Sequence, residues 1–409
     1  TNTSTNGEII PNISKTDITG TSIELGSGKF AKANNAKHTY LLKIYYPKKA
    51  TSQNANQGAA FSAHVEITSA KAPTAPTTPT FAETILAKNE VKAPITTPGA
   101  AVSTASEALL ASAEDDYGTS YYFRGAVKNN YVEFANKCWR IVRVGGDGSV
   151  KLILHNDNTA KAANPCATAN NSTSAAFARY SGTTYKSAFN TNYDDNAYVG
   201  FKYGTVGSST YEATHANTNN STILTNLEAW YNNNDNFKKY EKVIADTEWC
   251  NDKTNVTDTT YNPLNMSNVN GLGYGTNKTY YGATKRLVGT SGSAGGTGPS
   301  LKCNGELSKI TSKVGLITAD ELAYAGYAYN IGNTTTYLQE NATSDYWWSL
   351  SPFGFGSGGA LVWSVGGSDG DFDYNRVGNT YGVRPSISLK STTNATGNGT
   401  SDSPFIISM

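Results

Sequence analysis

Three aspartates alternate through one short stretch of the sequence, at Asp369, Asp371 and Asp373 within SDGDFDYN. Carboxylates at this spacing occupy positions 1, 3 and 5 of an EF-hand calcium loop. The rest of such a loop is missing, because Tyr374 stands at the glycine position and Thr380 at the position of the bidentate glutamate. Alternate residues of a β-strand share a face, so a looser calcium site is an alternative. We favour a solvated strand edge without a cofactor, whose carboxylates serve contact or solubility.

Aromatic and amide side chains surround this acidic stretch. At least one of Trp347 and Trp348 must point into the core, and Trp363 shares a strand face with Leu361 and Val365. The tryptophan rings are therefore interpreted as structural. Aromatic and amide groups that are exposed can instead stack on sugars or anchor protein partners. A face that binds a glycan or a protein is predicted from Tyr346, Asp369, Asp371, Asp373, Tyr374, Asn375, Arg376, Asn379 and Tyr381.

The sequence contains no recognisable catalytic motif. GxSxG, HExxH and paired Cys/His arrangements are absent, and the four histidines lie apart from the cysteines. The glycine-rich segment FGFGSGG at 353–359 reads as a turn-forming loop, and it lacks the following helix that a phosphate-binding loop needs. We therefore expect neither enzymatic activity nor a bound metal.

The composition is typical of a secreted or cell-surface protein. Only 16% of the 409 residues are charged, and Asn, Thr, Ser, Gly and Tyr are abundant. The net charge is +1 with Lys and Arg spread along the chain, which argues against nucleic-acid binding. No apolar run is long enough to span a membrane. Because the sequence begins at Thr1, we interpret it as a mature product whose export signal has been removed.

Four cysteines permit three disulfide pairings. We favour Cys138–Cys166 and Cys250–Cys303, because each pair brackets a long polar insert that a cross-link would stabilise. Four buried free thiols are the alternative, which an exported protein disfavours.

The chain reads as three regions. Residues 1–70 alternate polar and apolar positions as strands do, yet three or four strands cannot close a sandwich alone. The rest of the chain or another molecule must complete this partial β-sandwich. Residues 71–117 are rich in Pro, Ala and Thr and predict an extended spacer, with local docking of an apolar stretch at 81–86. Residues 118–409 predict a compact α+β domain.

Local patterns predict elements within 118–409. Hairpins are expected around 128–130 and 145–148, and long surface loops over 156–220 and 271–300. One helix is predicted over 222–245, and a second after a capping box in which Thr318 precedes Glu321 by three residues. The tail returns to strands in the order YWWSLS, ALVWSV, DFDYNRV and VRPSISL, where Arg384 is expected to hold loop carbonyls.

Residues 118–407 resemble secreted domains of Gram-positive gut bacteria that have a C-type-lectin-like fold. The words that carry the resemblance are YYFRGAVKNNYVEFANKCWRIVRVGGDGSVKLIL, VGLITADELAYAG, YWWSLSP, YGVRPSISL and GTSDSPFII. The fold occurs in retroelement variable proteins, which implies a ligand face over 353–381 and neighbouring first and last strands. It also occurs in formylglycine-generating enzymes, which need a late pair of reactive cysteines, whereas no cysteine follows Cys303.

Residues 20–70 resemble the later strands of camelysin-like domains of biofilm fibres, through HTYLLKIYYP and NQGAAFSAHVEIT. The earlier strands of that domain are missing, so copies of the chain could complete each other by strand addition. The predicted fold is therefore mainly β with an α+β C-terminal domain, a partial β-sandwich before a C-type-lectin-like domain. The function favoured is a pilus-like fibre subunit that displays a lectin-like head. The alternative is a monomeric cell-surface adhesin that binds its ligand through 353–381.

Overall fold

The computed structural model describes residues 3–4, 23, 25–26, 38–45, 65, 78–261, 263 and 269–408. The chain divides into two compact units, unit 1 (Thr1–Lys71) and unit 2 (Ala72–Met409). In unit 1, strand β1 (Thr3–Ser4) pairs antiparallel with β2 (His38–Thr39). Residues 40–45 continue outside any strand, and most of the rest of the sandwich predicted over 1–70 lies outside the described residues.

Unit 2 is mainly β, as the sequence predicted, and carries short helices between its strands. The helices are α1 (Phe81–Lys88), α2 (Tyr211–His215), α3 (Thr222–Asn232), α4 (Asp235–Lys239), α5 (Gly282–Leu287) and α6 (Ala319–Ala325). The strands are β3 (Ala108–Asp115), β4 (Gly118–Gly125), β5 (Tyr131–Phe134), β6 (Lys137–Val144), β7 (Val150–Asn156), β8 (Lys186–Ala188), β9 (Lys202–Tyr203), β10 (Asn219–Asn220), β11 (Thr247–Cys250), β12 (Thr279–Tyr280), β13 (Lys309–Ser312), β14 (Trp347–Gly356), β15 (Gly359–Val365), β16 (Phe372–Arg376), β17 (Thr380–Gly382), β18 (Ser386–Leu389), β19 (Ala395–Thr396) and β20 (Phe405–Ile407).

The first large sheet has the order β18-β7-β6-β5-β20-β19, with β4 beside β6 and β3 beside β4. The predicted hairpin around 145–148 is confirmed, because β6 and β7 pair antiparallel across that turn. The last strand, β20, pairs in parallel with β5.

The second sheet positions the predicted ligand face. Its order is β16-β15-β14-β17-β8, and β12 also pairs with β14. The tail strands of the sequence prediction are present here as β14, β15 and β16, while the fourth, β18, joins the first sheet. Trp347, Trp348 and Trp363 are all buried, so both members of the tryptophan pair are structural rather than one.

Residues 81–117 belong to unit 2, although the sequence predicted that 71–117 form an extended spacer. Phe81 and Ile85 lie one turn apart on α1, and both side chains are buried. The ring of Phe81 packs edge-on against that of Phe405, with centroids 5.2 Å apart. The prediction of a spacer is therefore wrong for 81–117. Burial of an apolar helix face outweighs the preference of the nearby prolines for extended backbone.

The hairpin predicted around 128–130 is wrong. Strand β4 pairs along its whole length with β3, and β5 pairs with β6. The partner of β4 was not recognised because β3 lies inside the region interpreted as a spacer. The chain turns away after β4 at Gly125, whose φ of +79° and close approach to Glu107 exclude a side chain.

The helix predicted over 222–245 ends earlier, at Asn232, and a separate short helix follows as α4. The break falls in an Asn-rich run, where the side chain of Asn234 accepts a hydrogen bond from the backbone of Asn236. Asn and Asp side chains compete in this way with helical hydrogen bonds. The helix after Thr318 is confirmed with its capping box, and it ends at Gly326.

The glycine-rich segment at 353–359 is not wholly a loop. Residues 353–356 continue β14, and the chain turns only at 357–358. Gly354 is needed there because a Cβ would lie 2.9 Å from the carbonyl oxygen of Thr279, on the adjacent strand β12. Within the described ranges, no helix has both the length and the apolarity that crossing a membrane requires.

Candidate ligand-binding face

One face of the second sheet gathers most of the predicted ligand residues. In the ladder between β15 and β16, Ser364 lies opposite Asp373, and Val362 lies opposite Asn375. Side chains alternate across a strand, so Asp373 and Asn375 project to the same side. We call this side, together with the adjoining Tyr346 and Tyr381, the polar face.

Amide and hydroxyl groups on the polar face form a connected network. The hydroxyl of Tyr381 donates to Oδ1 of Asn375 at 2.9 Å, and Nδ2 of Asn379 donates to the Tyr381 hydroxyl at 3.0 Å. Nδ2 of Asn375 donates to Oγ of Ser364 at 3.0 Å. The network holds three half-buried side chains in fixed orientations, which lowers the entropy cost of binding a ligand.

Aromatic rings form a platform beside this network. Tyr346 is 40% exposed and stacks on Tyr381, with ring centroids 5.1 Å apart. Tyr381 in turn packs against the buried Trp348 at 4.8 Å. The indole of Trp348 is fixed by donating to the carbonyl of Ser187. An exposed tyrosine on a rigid aromatic base is suited to stacking on the face of a ligand.

Carboxylates border the platform. Burial raises the pKa of Tyr346, and the charges of Asp369, Asp371 and Asp373 raise it further, so the acids lie close to this ring. Burial also raises the pKa of Asp373 to about 6, and the charge of Asp371 adds to the shift. Oδ1 of Asp373 is shielded from solvent and, within the described part of the chain, has no hydrogen-bond partner. An unpaired buried acceptor of this kind lowers stability.

The turn that carries Asp369 and Asp371 depends on a glycine. Gly370 has a φ of +67°, and a Cβ at this position would lie 2.1 Å from the carbonyl oxygen of Asn333. Oδ1 of Asp369 accepts from the backbone N–H of Asp371 at 3.1 Å, which fixes the turn further. The two carboxylates are thus held by backbone packing.

Two predicted ligand residues lie elsewhere. The ring of Tyr374 projects to the core side of β16 and stacks on Phe353 at 3.9 Å. Arg376 shares that side and lies over the ring of Tyr193, 4.8 Å from its centroid. The prediction that Tyr374 and Arg376 belong to the ligand face is therefore wrong. Side chains of consecutive strand residues alternate, so both lie on the opposite side of the sheet from Asp373.

Sequence reasoning missed a contribution from the loop at 330–334. Ile331 is 40% exposed, and the neighbouring Gly332 lies against the backbone of Asp369. The N–H of Asn330 donates to the carbonyl of Phe372, which fixes the loop to β16. No pattern in the sequence connects this loop to the acidic stretch, because the contact is between residues about forty positions apart.

Both predicted disulfides are present. Cys138 is bonded to Cys166, and Cys250 to Cys303. The structural role expected for Arg384 is also confirmed, because its Nε donates to the carbonyl of Leu154 and a second nitrogen donates to that of Leu338.

A second feature of unit 2 is a cavity of about 60 Å³, which we call the charged cavity. Arg286 lies in its wall and donates to Asp252 at 2.7 Å and to Asp320 at 2.7 and 2.8 Å. Glu321 also lines it and accepts from both Arg143 and Lys151. The acids are buried and paired, so the wall is a preorganised network of opposite charges.

No metal site accompanies either feature in the described ranges, where His, Cys, Asp and Glu nowhere form a group of three or more arranged to hold an ion. Calcium at Asp369, Asp371 and Asp373 stays an alternative of the sequence prediction.

No family model, curated protein or solved structure matches the chain.

Proposed function

We propose that this protein is a non-enzymatic extracellular recognition protein, which binds a glycan or protein ligand through the polar face. The observation that carries the proposal is the exposed Tyr346 ring, stacked on Tyr381 and bordered by the carboxylates of Asp369, Asp371 and Asp373. Recognition sites combine a rigid aromatic surface with a few polar groups that fix orientation. Here the amide of Asn375 supplies the second polar group.

Two further observations support an extracellular location and a C-type-lectin-like architecture. Disulfides persist in oxidising environments outside the cytosol, and both predicted bonds are formed. The contact of Phe81 with Phe405 joins the first helix and the last strand described in unit 2, and this proximity supports a C-type-lectin-like architecture. Fold alone does not define a ligand, so the polar face carries the functional argument.

Combined replacement of Tyr346→Ala, Asp373→Asn and Asn375→Ala tests this function. We expect binding to a glycan array, or to proteins of a bacterial or mucosal surface, to fall at least about tenfold, because central aromatic and buried polar contacts dominate recognition. The matched control is Tyr117→Ala, which removes a tyrosine that is 61% exposed and lies outside the polar face. Unchanged binding by the triple variant, with the control also unchanged, would contradict the proposal.

A second candidate function is assembly of copies by strand addition through unit 1. Leu42 and Ile44 follow β2 and are 51% and 57% exposed, and Val65 is 66% exposed. Exposed apolar side chains in a segment that follows a short strand pair favour contact with another chain. A non-closing contact of this kind generates filaments.

Electron microscopy of purified protein at high concentration checks the assembly. We expect filaments from the unaltered chain and their loss in a Leu42→Ser/Ile44→Ser variant, because the variant removes apolar contact area. Leu272→Ser is the control, since Leu272 is a leucine of unit 2 with 43% exposure. Uniform monomers of the unaltered chain would rule out the filament and leave the recognition function standing.

A further inference from the structure

The two disulfides lie in opposite environments. Cys138 and Cys166 are fully buried and pack with Tyr131 in a small apolar cluster. Cys250 and Cys303 are half-buried, and both line the charged cavity. The rim of this cavity carries exposed side chains, including that of Lys302, so a small solute reaches the second disulfide from solvent.

The two halves of the second disulfide are held with different strength. Cys250 belongs to β11, which pairs with β13 at four consecutive positions. Cys303 lies outside regular structure in a segment of 298–305, where its N–H donates to the exposed carboxylate of Asp116. A bridge between Asp115 and Leu301 and hydrogen bonds at Gly298 and Pro299 hold the segment further. Among these described attachments, the disulfide is the covalent one.

Access to sulfur differs between the two disulfides. The lining of the charged cavity holds acids as well as bases, so its charge does not decide which disulfide exchanges. Exposed side chains at the rim leave Cys250–Cys303 open to an attacking thiolate. The buried disulfide has an apolar surrounding instead, which excludes the attacking thiolate and disfavours a charged leaving group.

We propose that Cys250–Cys303 is a thiol–disulfide exchange site and acts as a reducible latch of the segment 298–305 over the charged cavity. A thiolate of a dithiol reductant attacks one sulfur, a mixed disulfide forms, and the other sulfur leaves as a thiolate. The second thiol of the reductant resolves the mixed disulfide. Two electrons pass to the protein, the reductant becomes a cyclic disulfide, and the released thiolates take protons from water.

Reduction opens the cavity without unfolding unit 2. Cys250 stays in the ladder of β11 and β13, whereas Cys303 moves with its segment. That segment also contributes the N–H of Ser300, which donates to Asp320 at 2.9 Å. Its movement exposes the paired Arg286 and Asp320 to solvent or to a partner that carries a thiol.

Limited reduction of the full chain under native conditions tests the exchange site. Dithiothreitol, followed by N-ethylmaleimide and peptide mass spectrometry, should label Cys250 and Cys303 at least about 100-fold faster than Cys138 and Cys166, because exchange requires access to sulfur. Equal rates for the two pairs, faster labelling of the buried pair, or no labelling without denaturant would overturn the proposal. In denaturant, all four cysteines should react at similar rates.

The latch is tested separately by a Cys250→Ser/Cys303→Ser variant. Hydrogen exchange in 298–305 should rise at least tenfold over the unaltered chain, while exchange in β6 and β7 stays the same, since local opening leaves the sheet intact. Unchanged exchange in this segment would show that the disulfide does not hold it, and a general rise would show unfolding of unit 2 instead of a latch.

Discussion

Replacement Glu321→Gln is expected to lower the free energy of unfolding of unit 2 by about 3–5 kcal/mol, the usual cost of breaking a buried ion pair from one side. The carboxylate of Glu321 accepts from Lys151 at 2.6 Å and from Arg143 at 2.9 Å. Glutamine leaves the ammonium of Lys151 without its buried counter-charge. Chemical denaturation of the variant and the unaltered chain at pH 7 measures the loss.

The pH dependence gives a second readout of the same pair. Burial opposes ionisation of Glu321, but the charges of Lys151 and Arg143 outweigh it and lower the pKa from 4.5 to about 2. Because the folded pKa is the lower one, the stabilisation is present above pH 4.5 and is lost as the pH falls towards 2. The difference between variant and unaltered chain should therefore shrink over this range.

A matched pair of variants separates the buried charge from the loss of a glutamate as such. Glu306→Gln alters a carboxylate whose side chain is 90% exposed, and its effect should stay within about 0.5 kcal/mol. Adding Lys151→Met to Glu321→Gln should recover part of the lost stability, because it removes the unpaired ammonium. A loss below about 1 kcal/mol for Glu321→Gln would contradict the buried pair.

Asp373→Asn is expected to act in the opposite direction and to stabilise unit 2 at pH 7 by about 1–3 kcal/mol. This range follows from converting the pKa shift of Asp373 into free energy. Burial raises the pKa of this carboxyl from 3.8 to about 6. A raised folded pKa means that the contribution of Asp373 to stability is present below pH 3.8 and is lost as the pH rises through 6. The gain of the variant should therefore grow over that interval and level off above it.

Ligand binding distinguishes a functional carboxylate from a structural defect at this position. The variant should be more stable and bind its ligand more weakly, the trade-off typical of a binding site that keeps a charged group at a cost in stability. Asp369→Asn is the control, since it alters the exposed carboxylate of the same stretch and should change stability by less than about 0.5 kcal/mol. Equal stability of Asp373→Asn and the unaltered chain from pH 4 to 7 would refute the burial argument.

Local physical chemistry explains which predictions succeeded. The capping box of Thr318 and Glu321 needs only residues three positions apart, and the helix begins there. Alternation predicted a buried Trp363 on β15, and its ring is buried. The disulfide pairings followed from the position of cysteines around polar inserts, and both bonds are present.

Contacts distant in sequence explain the differences. Whether β4 pairs with β5 or with β3 depends on a strand hidden among Pro, Ala and Thr, which no local pattern identifies. The helix α1 is positioned by packing of Phe81 against Phe405, at the other end of unit 2. Tyr374 was assigned to the ligand face on its chemistry, yet the register of β16 against β15 directs its ring to Phe353.

The amino-acid sequence by itself determined the β-rich character of unit 2, its disulfides and its capped helix after Thr318. These properties depend on residue chemistry and on spacing over a few positions. Only the tertiary structure decided that Tyr346, Asp373 and Tyr381 share one side of the sheet, and that Cys250–Cys303 borders a cavity while Cys138–Cys166 is enclosed. Strand register and burial are set by packing between distant segments, which no short stretch of sequence contains.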